Sequence, residues 1–170
     1  RVYQKAKELL EDMEERGDFV QDPVPCCYLY ELTMNGRSQT GIVACASVDD
    51  YLEGRIKKHE NTRREKEEDR VCHVDVCSTQ TGPIFLAYRN QPALKELTAK
   101  EKEQEPLFSF VSEDGIGHRG WMIRDSETLQ CIRKAVESMD AVYIADGHHR
   151  AASAVRVGLK RREAHPGYTG

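Results

Sequence analysis

The chain has 170 residues, the size of one ordinary domain and long enough to bury a core without disulfide staples. Hydrophobic types make up 39% and charged types 32%, and 25 Lys and Arg against 29 Asp and Glu leave a net charge of −4. That mild acidic balance argues against a sequence-independent duplex DNA binder, and no apolar run approaches the ~20 residues of a membrane span.

Val2 to Arg16 carries Tyr3, Ala6, Leu9, Leu10 and Met13 on one helical stripe, and Gly17 stops it. Cys26 to Thr33 is rich in strand formers and runs into Asn35-Gly36, the strongest short hairpin signal, so Gln39 to Ala46 is its partner strand. Ser47-Val48-Asp49-Asp50 reads as a capped helix start. Residues 53–70 hold seven basic and six acidic side chains. Within them, Thr62 and Glu65 form a capping-box pattern that predicts a helix from about Thr62 to Arg70. Gly82-Pro83 precedes a strand from Ile84 to Tyr88, and Pro92 suits the first turn of a helix through Leu97. Leu107 to Val111 and Ile116 to Ile123 are strands around Glu113-Asp114-Gly115. Asp125 or Ser126 caps a helix with Leu129, Ile132, Val136 and Met139 on its apolar face. Ala141 to Ala145 is a short buried strand, and an Ala-rich helix follows from His148 to near Gly158. The pattern is α+β: a mixed sheet with flanking helices, spanning 1–170 as a single domain. The chain begins at Arg1 without Met, carries no secretory signal and ends on a turn-like Pro166-Gly167, and it reads as a piece of a longer protein.

The six cysteines are Cys26, Cys27, Cys45, Cys72, Cys77 and Cys131. The chain is too long for a small stapled fold, so buried, reduced thiols and a cytoplasmic setting are expected. Cys72-His73 with Cys77 lacks the paired C-x-x-C spacing of a zinc ribbon. Gly115-Ile116-Gly117-His118-Arg119-Gly120 matches G-x-G-x-x-G in letters, but Trp121-Met122-Ile123 continues it as a strand where a dinucleotide site needs a helix.

The informative segment is Tyr143-Ile144-Ala145-Asp146-Gly147-His148-His149-Arg150. It reads as strand, glycine turn and helix start. A helix N-terminus offers unpaired N–H groups and the positive end of a dipole, a ready seat for phosphate. Gly147 lets the backbone approach an anion closely. Three nitrogen-rich side chains, His148, His149 and Arg150, crowd the opening turn, where cations oppose the dipole, and Arg150 offers a phosphate-gripping fork. A second candidate is Lys57-Lys58-His59-Glu60-Asn61-Thr62, where Glu60 beside His59 has the chemistry of a general base toward a hydroxyl. His118 and Arg119 are candidates for a supporting basic pair, or else an exposed hairpin tip. Trp121 is a core residue in the simplest reading.

These residues, with Gly41 to Ala44, Ser47 to Tyr51, Gly54 to Arg63, Lys66 to Arg70, Gly82 to Phe85 and His118 to Trp121, resemble the bacterial and archaeal family called domain of unknown function 1015. The D-G-H-H-R element is also similar to the nucleotide-binding corner of the ParB/sulfiredoxin-like superfamily. Sulfiredoxin has a reactive Cys where this chain has His148, so the resemblance does not carry sulfinic acid repair with it. No helix-turn-helix or basic face accompanies the loop as in a ParB clamp. The nearer resemblance is to the free serine kinases, which pair an H-E motif with a D-G-H-H-R loop. That resemblance implies a ParB/sulfiredoxin-like nucleotide-binding fold with insertions. It implies ATP or ADP as phosphoryl donor, Mg²⁺, a small hydroxyl substrate such as serine, and Glu60 as base. It makes Asp146, Gly147, His148, His149 and Arg150 the phosphate corner, with Asp146 as the metal ligand and His59, His118 and Arg119 in support. The expected partners are a nucleotide and a small molecule, with no membrane and no nucleic acid. The alternative is a nucleotide-binding regulatory module without chemistry, or a scaffold that keeps only the fold.

Overall fold

A computed structural model describes residues 1–60 and 64–167. It is a mixed α+β chain with two sheets and flanking helices, divided into two compact units. The first unit gathers Arg1–Gln21, Ala46–Arg89 and Asp140–Gly170; the second gathers Asp22–Cys45 and Asn90–Met139. Among the described residues, no helix is long and apolar enough to cross a membrane.

The first unit is built from α1 (Val2–Glu15), α2 (Val48–Leu52), β3 (Ile56–Lys57), α3 (Arg64–Cys77), β4 (Phe85–Ala87), β7 (Val142–Asp146) and α6 (His148–Ala164). The second holds β1 (Cys27–Met34), β2 (Arg37–Val43), α4 (Pro92–Glu101), β5 (Phe108–Val111), β6 (Gly117–Ile123) and α5 (Ser126–Glu137).

In the first unit the strand order is β3-β7-β4. The central β7 runs parallel to β3, pairing Ile56 with Val142 and Lys57 with Tyr143, and antiparallel to β4. Ile56, Ile144 and Ala151 form its core, with Tyr51, Ile84, Leu86 and Val142 packed around them. Small residues at Ala151, Ala152 and Ser153 let α6 lie close beneath the sheet, and all three are buried. β7 is less buried than its apolar sequence suggests, because only Ile144 is fully enclosed and one face of this narrow sheet is open.

Two helices outrun their local signals. The capping Thr62 lies outside the described residues, but α3 continues past Arg70 to Cys77. Helix α6 continues past Gly158 to Ala164. Tertiary ion pairs hold these extensions, Lys160 to Asp75 at 2.5 Å and Arg162 to Asp49 at 2.5 Å, and Arg156 to Glu67 at 3.0 Å joins the two helices one turn earlier. Gly158 is no terminator. Its missing side chain leaves room for Val48, whose Cγ2 would sit 3.3 Å from an added Cβ.

The second unit is an antiparallel sheet in the order β2-β1-β6-β5. The Asn35-Gly36 turn has both residues at positive φ, 52° and 75°, as a two-residue hairpin demands. Alternation puts Leu29, Glu31, Trp121 and Ile123 on one buried face. Trp121 is core, its indole N–H donated to the Gln104 carbonyl at 3.0 Å. Asp125 caps α5 by accepting from the Thr128 N–H at 2.8 Å. The G-x-G-x-x-G segment becomes the turn at Gly115 and then strand β6.

The cysteines differ from the expected burial. All six are free thiols, but only Cys77 is buried, while Cys45, Cys72 and Cys131 are exposed. Cys72 and Cys131 lie on the solvent side of α3 and α5, and Cys45 lies just beyond the end of β2.

Candidate functional site

Parallel pairing of β3 with β7 decides where the chemistry collects. The two strands end on the same edge, so Lys58-His59-Glu60 and Gly147-His148 leave side by side. Crevices at the carboxyl ends of parallel strands are where open α/β sheets bind ligands.

Gly147 makes the turn. Its φ of 94° lies in the left-handed region, and an added Cβ would stand 3.0 Å from both Arg150 Nη2 and Ile84 Cγ2. Glycine is required there on both counts. Helix α6 starts directly after it with no side-chain cap and no acidic residue in its first turn. Its leading N–H groups are therefore unclaimed by side chains, and the positive end of its dipole is uncompensated.

His148 is only 7% exposed, and its Nδ1 lies 3.9 Å from Glu60 Oε2. The His59 ring meets it edge-on with centroids 4.4 Å apart, and His59 Nε2 lies 3.8 Å from Glu60 Oε1. Glu60 itself is 67% exposed, open to a substrate from solvent. Lys57 and Lys58, just before it in the chain, ride over the rings of Tyr143 and Tyr51, at 5.8 and 4.8 Å. His148 Nε2 and His149 Nδ1 are buried without a hydrogen-bond partner. A buried polar atom in that state costs about 1–3 kcal/mol, so these nitrogens leave hydrogen-bonding capacity open at the head of the helix.

Arg150 goes the other way. Residues two apart on a helix do not share a face, and the sheet order places β3 on one side of β7 and β4 on the other. His148 leans toward the β3 loop. Arg150 leans toward β4, donating from Nη2 to Asp146 Oδ2 at 2.6 Å and from Nη1 to the Pro83 carbonyl at 2.5 Å. Gly82 leaves room for its stem, since an added Cβ there would lie 3.3 Å from Arg150 Nη1. The predicted grip of His148, His149 and Arg150 on one ligand thus divides into two flanks of the same helix turn. Asp146 is exposed and gives one carboxylate oxygen to Arg150.

The structure therefore brings His59, Glu60, Gly147 and His148 together, with Asp146 and Arg150 on the adjoining flank. His118 and Arg119 belong to the second unit, and their side chains are engaged inside it. His118 bonds Tyr30 Oη at 2.7 Å and Ser112 Oγ at 2.9 Å and stacks on Phe110. Arg119 binds Glu31. Both lie on strand β6 rather than at a hairpin tip. The contributions of Gly82 and of the Pro83 carbonyl were hidden in sequence, where the Gly-Pro pair reads only as punctuation before a strand.

No curated protein and no solved structure matches the chain. A family model described as "Protein of unknown function (DUF1015)" matches residues 1–170, so the corner formed by the H-E and D-G-H-H-R segments is a feature of a chain that belongs to the DUF1015 family.

Proposed function

We propose that this protein is a nucleotide-dependent phosphotransferase, a kinase for a small hydroxyl substrate of the free serine class, built on a ParB/sulfiredoxin-like nucleotide-binding fold. The observation that carries the reading is the approach of the exposed Glu60 carboxylate to buried His148, 3.9 Å apart, beside the uncapped N-terminus of α6. Phosphoryl transfer asks a protein mainly for positioning and charge stabilisation. The helix N-terminus, with its free N–H groups, seats the donor's phosphates. Glu60 takes the proton of the acceptor hydroxyl. The oxygen then attacks the terminal phosphorus of ATP or ADP, and the bond to the leaving ADP or AMP breaks. His148, against the carboxylate, holds Glu60 toward the acceptor and shares the proton it has gained.

Among the described residues no group of three or more His, Cys, Asp or Glu side chains is arranged to hold a metal ion by itself. Asp146 keeps one carboxylate oxygen beyond its bond to Arg150, which suits a Mg²⁺ carried on the phosphates and held by a single carboxylate. When bound, that ion neutralises phosphate charge. The same reading assigns the activity to the cytoplasm, where nucleotides are abundant and thiols such as these six stay reduced.

The test is a labelled-nucleotide assay with a panel of hydroxyl amino acids, run beside nucleotide-binding calorimetry. Glu60→Gln is expected to lower turnover by ~10²–10⁴ while nucleotide affinity stays within about twofold. Turnover at the wild-type rate refutes the base assignment. Tight nucleotide binding with no turnover on any acceptor selects the regulatory module instead.

A further inference from the structure

On the β4 flank a cavity of about 310 Å³ opens between α3, α6 and the loop before β4. Arg70 and His73 line it from α3, Gln80 and Thr81 from the loop, and Arg150 from α6, and among the described residues no carboxylate lines it. Three of the acidic groups on α3 are occupied elsewhere. Glu67 pairs with Arg156, Asp69 accepts from the Tyr3 hydroxyl at 2.6 Å, and Asp75 pairs with Lys160. Arg70 has no carboxylate partner among the described residues, and the neighbour of His73 Nε2 is the Cys77 sulfur at 4.0 Å. Arg150 is already paired with Asp146, so Arg70 is the charge the lining leaves unanswered among the described residues, and an unanswered cation at a cavity wall draws in an anion.

We propose that this cavity is a second binding site, one that takes the phosphate group of a small molecule, with Arg70 as its main charge. A planar carboxylate is satisfied by one guanidinium fork. Here Arg70 and His73 line the cavity from α3 and Thr81 lines it from the loop, so polar groups of separate segments face the space that the several oxygens of a tetrahedral phosphate would fill. The volume is at the small end of ligand pockets, which begin near ~300 Å³. The site lies on the opposite flank of the α6 turn from Glu60 and does not depend on Glu60 acting as a base.

The experiment is calorimetric titration of the full chain with inorganic phosphate at constant ionic strength, with and without ADP. Wild type is expected to bind phosphate saturably, and Arg70→Gln to weaken it at least about tenfold with an unchanged circular dichroism spectrum. Arg133→Gln removes the same charge from a surface pair with Glu137 on α5 and is expected to leave phosphate binding intact. Competition by ADP assigns the phosphate to a nucleotide, and simultaneous binding assigns it to a separate molecule; both support the site. Absence of saturable binding, undiminished binding in Arg70→Gln, or an equal loss in Arg133→Gln overturns it.

Discussion

Replacing Glu31 with Gln tests how the second unit is held together. Glu31 is 1% exposed yet ionised. Burial by itself raises its pKa, but hydrogen bonds from Lys102 at 2.7 Å, Thr40 at 2.8 Å and the Arg119 guanidinium outweigh burial and bring it from 4.5 down to about 2. Those partners tie the end of α4 and strands β2 and β6 to a single carboxylate on β1. The gap between 4.5 and about 2 corresponds to about 3 kcal/mol of stability. Its sign is that of a depressed acid: it is fully present above about pH 4.5 and is lost as pH falls toward about 2. Lys102 and Arg119 are 30% and 48% exposed, so both rehydrate when the carboxylate is gone, which keeps the expected loss near about 3 kcal/mol. Urea denaturation followed by fluorescence of Trp121, the chain's single tryptophan and buried in the same unit, measures it. Glu31→Gln should lie about 3 kcal/mol below wild type at pH 7, with the difference roughly halved by about pH 3. A difference under about 0.5 kcal/mol at pH 7, or one that does not move with pH, refutes the reasoning.

Gly147→Ala forces a side chain into the left-handed region and against Arg150 and Ile84; it should cost about 2 kcal/mol in thermal denaturation and weaken nucleotide binding at least about tenfold. Asp125→Ala removes the acceptor for the Thr128 N–H and should destabilise by about 1 kcal/mol, read by the same urea titration, with no effect on nucleotide affinity.

Local chemistry made much of the fold legible. The Asn35-Gly36 turn, the Ser47 and Asp125 caps and Pro92 at a helix start each act within a few residues, and each appears where the sequence puts it. The ends of α3 and α6 were not legible, because what extends them is pairing between residues about 85 to 113 positions apart. The meeting of Glu60 with His148 depends on two strands lying parallel, which no local pattern encodes. The direction of Arg150 depends on the Pro83 carbonyl, supplied by the loop that leads into β4. His118 and Arg119 misled because a basic pair in a hairpin looks free until the strands that face it are known. Tyr30 and Glu31 on β1 are what engage them.

The sheet order β3-β7-β4 has a consequence for how the turn at Gly147 is approached. One helix end is shared, but its left and right neighbours hang from different strands, one parallel and one antiparallel. Residues 59–60 and 82–83 thus reach the same helix turn on separate segments, one from each side of β7.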